Sequence, residues 1–150
     1  MITFIKSFAI ALVFSGVTLS SHAQDTPAKL SGGKVIAAAE AKSLADSKGA
    51  VFVDTRAVLN FGKGHLPGAI AVAYKEKSDK VENFDAKEDA FDLGKLPADK
   101  AAKVVFYSDG PSGWKSYKAA VLAVKAGYTN VMYFRGGMAE WQAAGYPSAK

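Results

Sequence analysis

The sequence predicts an α/β domain with a central parallel sheet of about five strands and helices on both faces. Three observations predict it. Short continuous apolar runs, Ala50-Val51-Phe52-Val53 and Val104-Val105-Phe106-Tyr107, lack the alternation of a half-exposed strand and suit strands buried on both faces. Helix-forming stretches fall between such runs rather than in a block of their own. Short glycine turns join them, and 150 residues suffice for one well-buried core but not two.

The first segment stands apart from the fold. Lys6 gives a short positive region, Phe8 to Leu19 an apolar run, and Ser21 and Ala23 the small residues that a signal peptidase inspects. Residues 1–23 therefore read as a secretory signal cleaved after Ala23, which predicts a periplasmic or secreted protein. An uncleaved anchor is the alternative, but spanning a bilayer takes about 20 apolar residues and this run is shorter. A lipid anchor would have no cysteine to acylate, and no later run is long enough for a membrane span.

Residues 24–34 read as an N-terminal lead-in, since Asp25 to Lys34 is rich in small, polar and breaker residues. Residues 35–150 read as the domain. Val35 to Asp46 is alanine-rich, with Ile36, Ala39 and Leu44 apolar, and predicts a helix. Ala50 to Val53 predicts a buried strand ending at Asp54. Gly62 to Ala69 holds glycines at 62, 64 and 68 with Pro67, and predicts a turn leading into a short strand, Ile70 to Val72. Tyr74 to Lys95 is polar and predicts a long connection with some helix. Lys103 to Tyr107 predicts a strand, Ser108 to Gly113 a loop, and Trp114 to Ala126 a helix closed by Gly127. Asn130 to Phe134 predicts a further strand, Arg135-Gly136-Gly137 a turn, and Met138 to Ala144 a helix ended by Gly145 and Pro147. Ligands of such sheets gather at the carboxyl ends of the strands. Those ends are Asp54-Thr55-Arg56, Ser108 to Gly113, and Arg135-Gly136-Gly137.

Composition excludes several functions. The net charge is +5, with signs mixed along Lys75-Glu76-Lys77, Asp79-Lys80 and Lys87-Glu88-Asp89. These read as solvated surface rather than the one-signed stripe that nucleic acid needs. With no cysteine, the chain has no disulfide, no thiolate metal site and no thiol nucleophile. No His-rich or paired-carboxylate spacing suggests a metal, and no cofactor is expected.

Four stretches carry a resemblance to a known family. They are Val53-Asp54-Thr55-Arg56; Gly64-His65-Leu66-Pro67-Gly68-Ala69; Val104 to Tyr107 running into the Ser108 loop; and Arg135-Gly136-Gly137-Met138-Ala139-Glu140-Trp141 with Gly145-Tyr146-Pro147. In this order they resemble the rhodanese family. The loop Ser108-Asp109-Gly110-Pro111-Ser112-Gly113-Trp114-Lys115-Ser116 is similar to that of a periplasmic rhodanese-like subgroup associated with alcohol-oxidation gene neighbourhoods. That subgroup has cysteines at the positions of Ser108 and Gly113. This chain keeps the Gly-Pro, the Trp and the Lys-Ser without the thiols, and its loop is longer than that of ordinary rhodaneses.

The resemblance implies a chemistry and its loss. A strand running into a glycine loop and then a helix gathers backbone N–H groups around one point, which suits an anion. In rhodaneses that loop lowers a thiol's pKa so that the thiolate accepts sulfur as a persulfide. Serine cannot replace it, because a hydroxyl is far less acidic than a thiol and forms no equivalent persulfide.

Other residues carry two readings each. His65 is a turn brace or, less directly, a base for a Ser108 hydrolase, and Asp109 is that serine's neighbour. Asp54 and Arg56 brace the strand end or share a ligand. Arg135 belongs to a tight turn or points to the loop. Trp114 walls the pocket or packs on its helix. Lys115 and Lys118 form a solvated face or raise the potential over the loop. Trp141 reads as core and Tyr146 as a turn anchor.

The expected function is a catalytically silent binding or accessory module. Ser108 to Gly113, with Trp114 and Lys115, would hold a small oxyanion, or an acidic group or thiol of a periplasmic protein partner. Two alternatives stand: a sulfurtransferase-family enzyme or oxyanion hydrolase using the Ser108 loop, and an engineered or decayed copy of an active sulfurtransferase.

Overall fold

The computed structural model describes residues 24–150, so the expected signal segment lies outside the described residues. Along the chain come β1 (Lys34–Ile36), α1 (Ala38–Asp46), β2 (Val51–Asp54), α2 (Val58–Lys63), β3 (Ile70–Ala71), β4 (Lys103–Tyr107), α3 (Trp114–Lys125), β5 (Asn130–Phe134) and α4 (Gly137–Ala143). Two short 3₁₀ turns, Ala86–Glu88 and Leu93–Lys95, punctuate the long connection between β3 and β4. The strands form one sheet in the order β1-β5-β4-β2-β3, and every pairing is parallel.

The apolar runs of the strands follow from this arrangement. Successive side chains of a strand point to opposite faces. Val104 and Phe106 accordingly join the core beneath α3, with Val53, Tyr117, Ala120 and Tyr133. Val105 and Tyr107 join the opposite core, with Ala41 of α1 and with Met138 and Trp141 of α4. A sheet covered on both sides needs apolar residues at every position, and β4 has them after Lys103.

The register aligns the strand ends. Asp54 stands level with Ala71 and with Tyr107, Tyr107 with Phe134, and Phe134 with Ile36. All three expected strand-end segments therefore emerge on one rim.

Three expectations need correction, and one helix lies where none is expected. Val35 and Ile36 are strand rather than helix: they pair with Tyr133 and Phe134 along the free edge of β5, and the helix starts only at Ala38. Tertiary pairing of two β-branched residues overrides the helical pattern of the alanines that follow. Helix α2 was not foreseen, because it buries no residue and so shows no apolar stripe. Lys118 is not on a solvated face but is fully buried. The charged connection is not all surface either, since Glu76 and Asp89 turn inward onto Lys118.

Candidate functional site

The loop between β4 and α3 is held by its carbonyl groups. Ser108 O accepts from Met138 N at 3.0 Å and Asp109 O from Ala139 N at 2.9 Å, both at the start of α4. Gly110 O accepts from Gly113 N at 2.9 Å, Pro111 O from Thr26 N at 2.8 Å, and Gly113 O from Ser116 Oγ at 3.1 Å. In a trans peptide the N–H points opposite to the C=O. Tying the carbonyls outward turns the following amides the other way. Among the described residues, the amides of Asp109, Gly110, Ser112, Trp114 and Lys115 find no protein acceptor.

Two glycines make this curl possible. A Cβ at Gly113 would lie 2.9 Å from both Cβ and Oγ of Ser108, so only a bare backbone fits against that side chain. A Cβ at Gly137 would lie 2.3 Å from the Ser108 carbonyl oxygen, and its φ of +55° is left-handed. Ser108 itself is buried, 3% exposed.

A cavity of about 160 Å³ opens beside the loop. Ser108, Asp109, Ser112, Gly113, Trp114 and Lys115 line it with Arg56 from the end of β2. Ala57, Asn60, Glu76 and Lys80 complete the wall and were not singled out in the sequence. Gly110, Pro111, Asp54, His65 and Arg135 do not line it.

Arg56 is the fixed cation of the rim. Its Nε and Nη2 grip the fully buried Asp54 carboxylate, at 3.0 Å and 2.7 Å, and Nη2 also donates to Gly64 O at 2.7 Å. Burial works against the guanidinium charge, but the hydrogen bond and charge of Asp54 outweigh it and hold Arg56 above its ordinary value. Nη1 faces the exposed Asp109 at 3.6 Å. The phenol of Tyr107 is pushed up by burial and by the Asp54 charge, so it stays protonated while it accepts from Leu66 N at 3.1 Å.

Beyond the rim, Lys118 Nζ donates to Ser78 Oγ at 2.8 Å and to Ser78 O at 3.1 Å. It lies 2.8 Å from Glu76 Oε2, although the angle there gives no directed hydrogen bond. Burial pushes the Asp89 carboxyl up, but donation by the Ser78 hydroxyl and amide, Tyr74 and the Lys77 amide outweighs it and pulls Asp89 down to about 2. One trace of this network is legible: Lys118 follows Trp114 by one helical turn, on the buried stripe of α3.

The remaining candidates lie elsewhere. His65 stacks on Phe61 with ring centroids 3.7 Å apart, and its Nδ1 meets Phe61 O at 2.9 Å. Arg135 donates twice to Thr26 O, at 3.1 Å and 2.8 Å, so it holds the lead-in rather than the cavity. Trp114 serves both of its readings, lining the cavity while Nε1 donates to Gln24 O at 2.8 Å. Trp141 is fully buried, with Tyr146 at 5.1 Å. Among the described residues no group of acidic, His or Cys side chains forms a metal site. No helix among them is long and apolar enough to cross a membrane.

A parallel α/β sheet with an amide-lined loop at its carboxyl rim defines a class of protein rather than a member of it. The family model for the rhodanese-like domain matches residues 37–144. The uncharacterised protein YibN of Escherichia coli K12 is 31% identical over 115 residues, which are 76% of this chain and 71% of that protein. The chain belongs to the rhodanese-like domain family, and it has no cysteine. Solved structures share the fold. The Alr3790 protein of Anabaena matches with a TM-score of 0.56 at 24% identity, over 76% of this chain and 90% of that one. A rhodanese-related protein of Thermoplasma volcanium gives 0.58 at 21%, over 77% and 97%. The thiosulfate sulfurtransferase of Pseudomonas aeruginosa gives 0.56 at 23%, over 78% of this chain and 20% of that enzyme.

Proposed function

We propose that this domain is an exported binding module, silent as a sulfurtransferase, whose Ser108–Gly113 loop holds a small oxyanion or an acidic group or thiol of a periplasmic partner. One observation carries the reading: Ser108 lines a cavity, its hydroxyl makes no hydrogen bond to another described residue, and the neighbouring loop amides make none either. Donors gathered at a cavity without protein acceptors are free to bind a ligand or water. Arg56, Lys80 and Lys115 add positive charge at the wall, while Asp109 faces Arg56 and Glu76 faces Lys118. Arg56 is already paired with Asp54, so the free positive charge at the wall comes from Lys80 and Lys115, and the free amides supply the rest of the case for an anion.

A sulfur relay on this chain would need a thiolate, and none exists. A serine hydrolase would need a base beside Ser108. His65 is bound to Phe61 outside the cavity wall, which speaks against that alternative. The loop's likeness to the periplasmic subgroup, together with the expected signal segment, supports the export part of the reading.

Titrating sulfate, phosphate and thiosulfate against thermal unfolding tests it. A ligand that binds only the folded state raises Tm, by about 8 °C at a hundredfold excess over Kd. Thiosulfate and cyanide together should yield no thiocyanate above blank, whereas Ser108→Cys should gain turnover. An unmoved Tm at millimolar anion, or turnover by the unmodified protein, overturns the proposal.

A further inference from the structure

The lead-in reaches the loop through several contacts. It lies before the family-matched residues, 37–144. Thr26 is 3% exposed and spends both of its donors on one acceptor: its amide and its hydroxyl each reach Pro111 O at 2.8 Å. With the Thr26 hydroxyl donating to Pro111, the Tyr133 hydroxyl, 2.7 Å away, donates to Thr26 Oγ1. Burial pushes the Tyr133 phenol up and so keeps its proton in place. Gln24 O takes the Trp114 indole N–H, and Arg135 clamps Thr26 O from the other side.

The consequence falls on one amide. Pro111 O and Ser112 N belong to the same trans peptide, so fixing the carbonyl toward Thr26 turns the Ser112 N–H away from it. Ser112 lines the cavity, whereas Thr26 and Pro111 do not. Pro111 has no N–H of its own and Gly113 N is spent on Gly110 O, which leaves Ser112 as the uncommitted donor between Gly110 and the helix start. The amides of Asp109 and Gly110 are aimed instead by α4, through Met138 and Ala139.

We infer that residues 24–26 form a strap that sets the anion-binding geometry of the loop, with Thr26 the positioning residue for the Ser112 amide. This rests on the anion reading above. The strap touches no ligand; it orients the group that does. The Thr26 hydroxyl and Arg135 therefore influence affinity from outside the cavity.

Amide-resolved titration of the 24–150 chain with thiosulfate tests both layers separately. In the unmodified chain the Asp109, Gly110 and Ser112 amides should all move on binding. Thr26→Val keeps the shape and the backbone donor but removes the hydroxyl. It should reduce the Ser112 response and weaken binding about threefold, because one of the two donors that hold Pro111 O is lost while the Thr26 amide remains. Asp109 and Gly110 should respond as before, and Thr26→Ser should restore Ser112. If Thr26→Val does not fold, Arg135→Gln loosens the same strap from a part-exposed position and carries the same expectation. A variant that titrates like the unmodified chain overturns the strap while leaving the anion reading standing. Amides that ignore thiosulfate in the unmodified chain overturn both.

Discussion

Gly137 and Gly68 both hold left-handed backbone angles, φ +55° and +78°, but their surroundings differ. A Cβ at Gly68 would meet nothing within 4 Å, whereas one at Gly137 would lie 2.3 Å from the Ser108 carbonyl oxygen. Gly68→Ala should therefore cost about 1 kcal/mol of backbone strain. Gly137→Ala should cost about 3 kcal/mol, because the Met138-to-Ser108 bond is lost as well. Urea melts of the two variants measure the difference, and anion-dependent stabilisation should survive only in the first. At this scale the sequence was partly legible. Arg135-Gly136-Gly137 announced a turn, and Ser108 announced a missing thiol. Which glycine needed its missing side chain depends on the approach of α4 to the loop, a contact between residues far apart in the chain.

Helix α3 joins the binding rim to the charged connection, and its interior lysine makes the joint. Removing one partner of a buried ion pair leaves the other uncompensated, typically at a cost of about 3 kcal/mol. Lys118→Met should lose that much, and a double variant with Glu76→Leu should recover part of it, because Glu76 is then no longer stranded while Asp89 keeps its Ser78, Tyr74 and Lys77 donors. Denaturant midpoints of the two singles and the double give the coupling. Strands β2, β4 and β5 and helix α3 were readable from the sequence because each buries a continuous run or stripe. Strand β1 and helix α2 were not. The first borrows its order from the edge of β5, and the second leaves Val58 and Leu59 mostly exposed. The inward turn of Glu76 and Asp89 was equally hidden, since charge runs look alike whether or not a lysine waits beneath them.

Across the whole molecule the network makes stability depend on acid. An unfolded aspartate titrates near 3.9, roughly two units above Asp89 in the fold, where it lies at about 2. A lowered folded value stabilises above the unfolded one and loses that contribution as pH falls through the folded one. Stability should thus drop between about pH 4 and pH 2, by about 2 kcal/mol from this group. Asp89→Asn should be less stable at neutral pH and show a shallower decline over that window in pH-dependent melts.

The far end of the chain is fastened as well. Ala149 and His65 exchange backbone hydrogen bonds at 2.8 Å and 3.0 Å, one residue beyond the Gly64 carbonyl that Arg56 holds. With Thr26 seated on the loop, fusion partners or affinity tags joined beside Gln24 or after Lys150 would pull on the binding rim itself. Labels and surface attachments belong instead at Lys48-Gly49, the turn before β2, where a probe can report on the domain without tugging at its mouth.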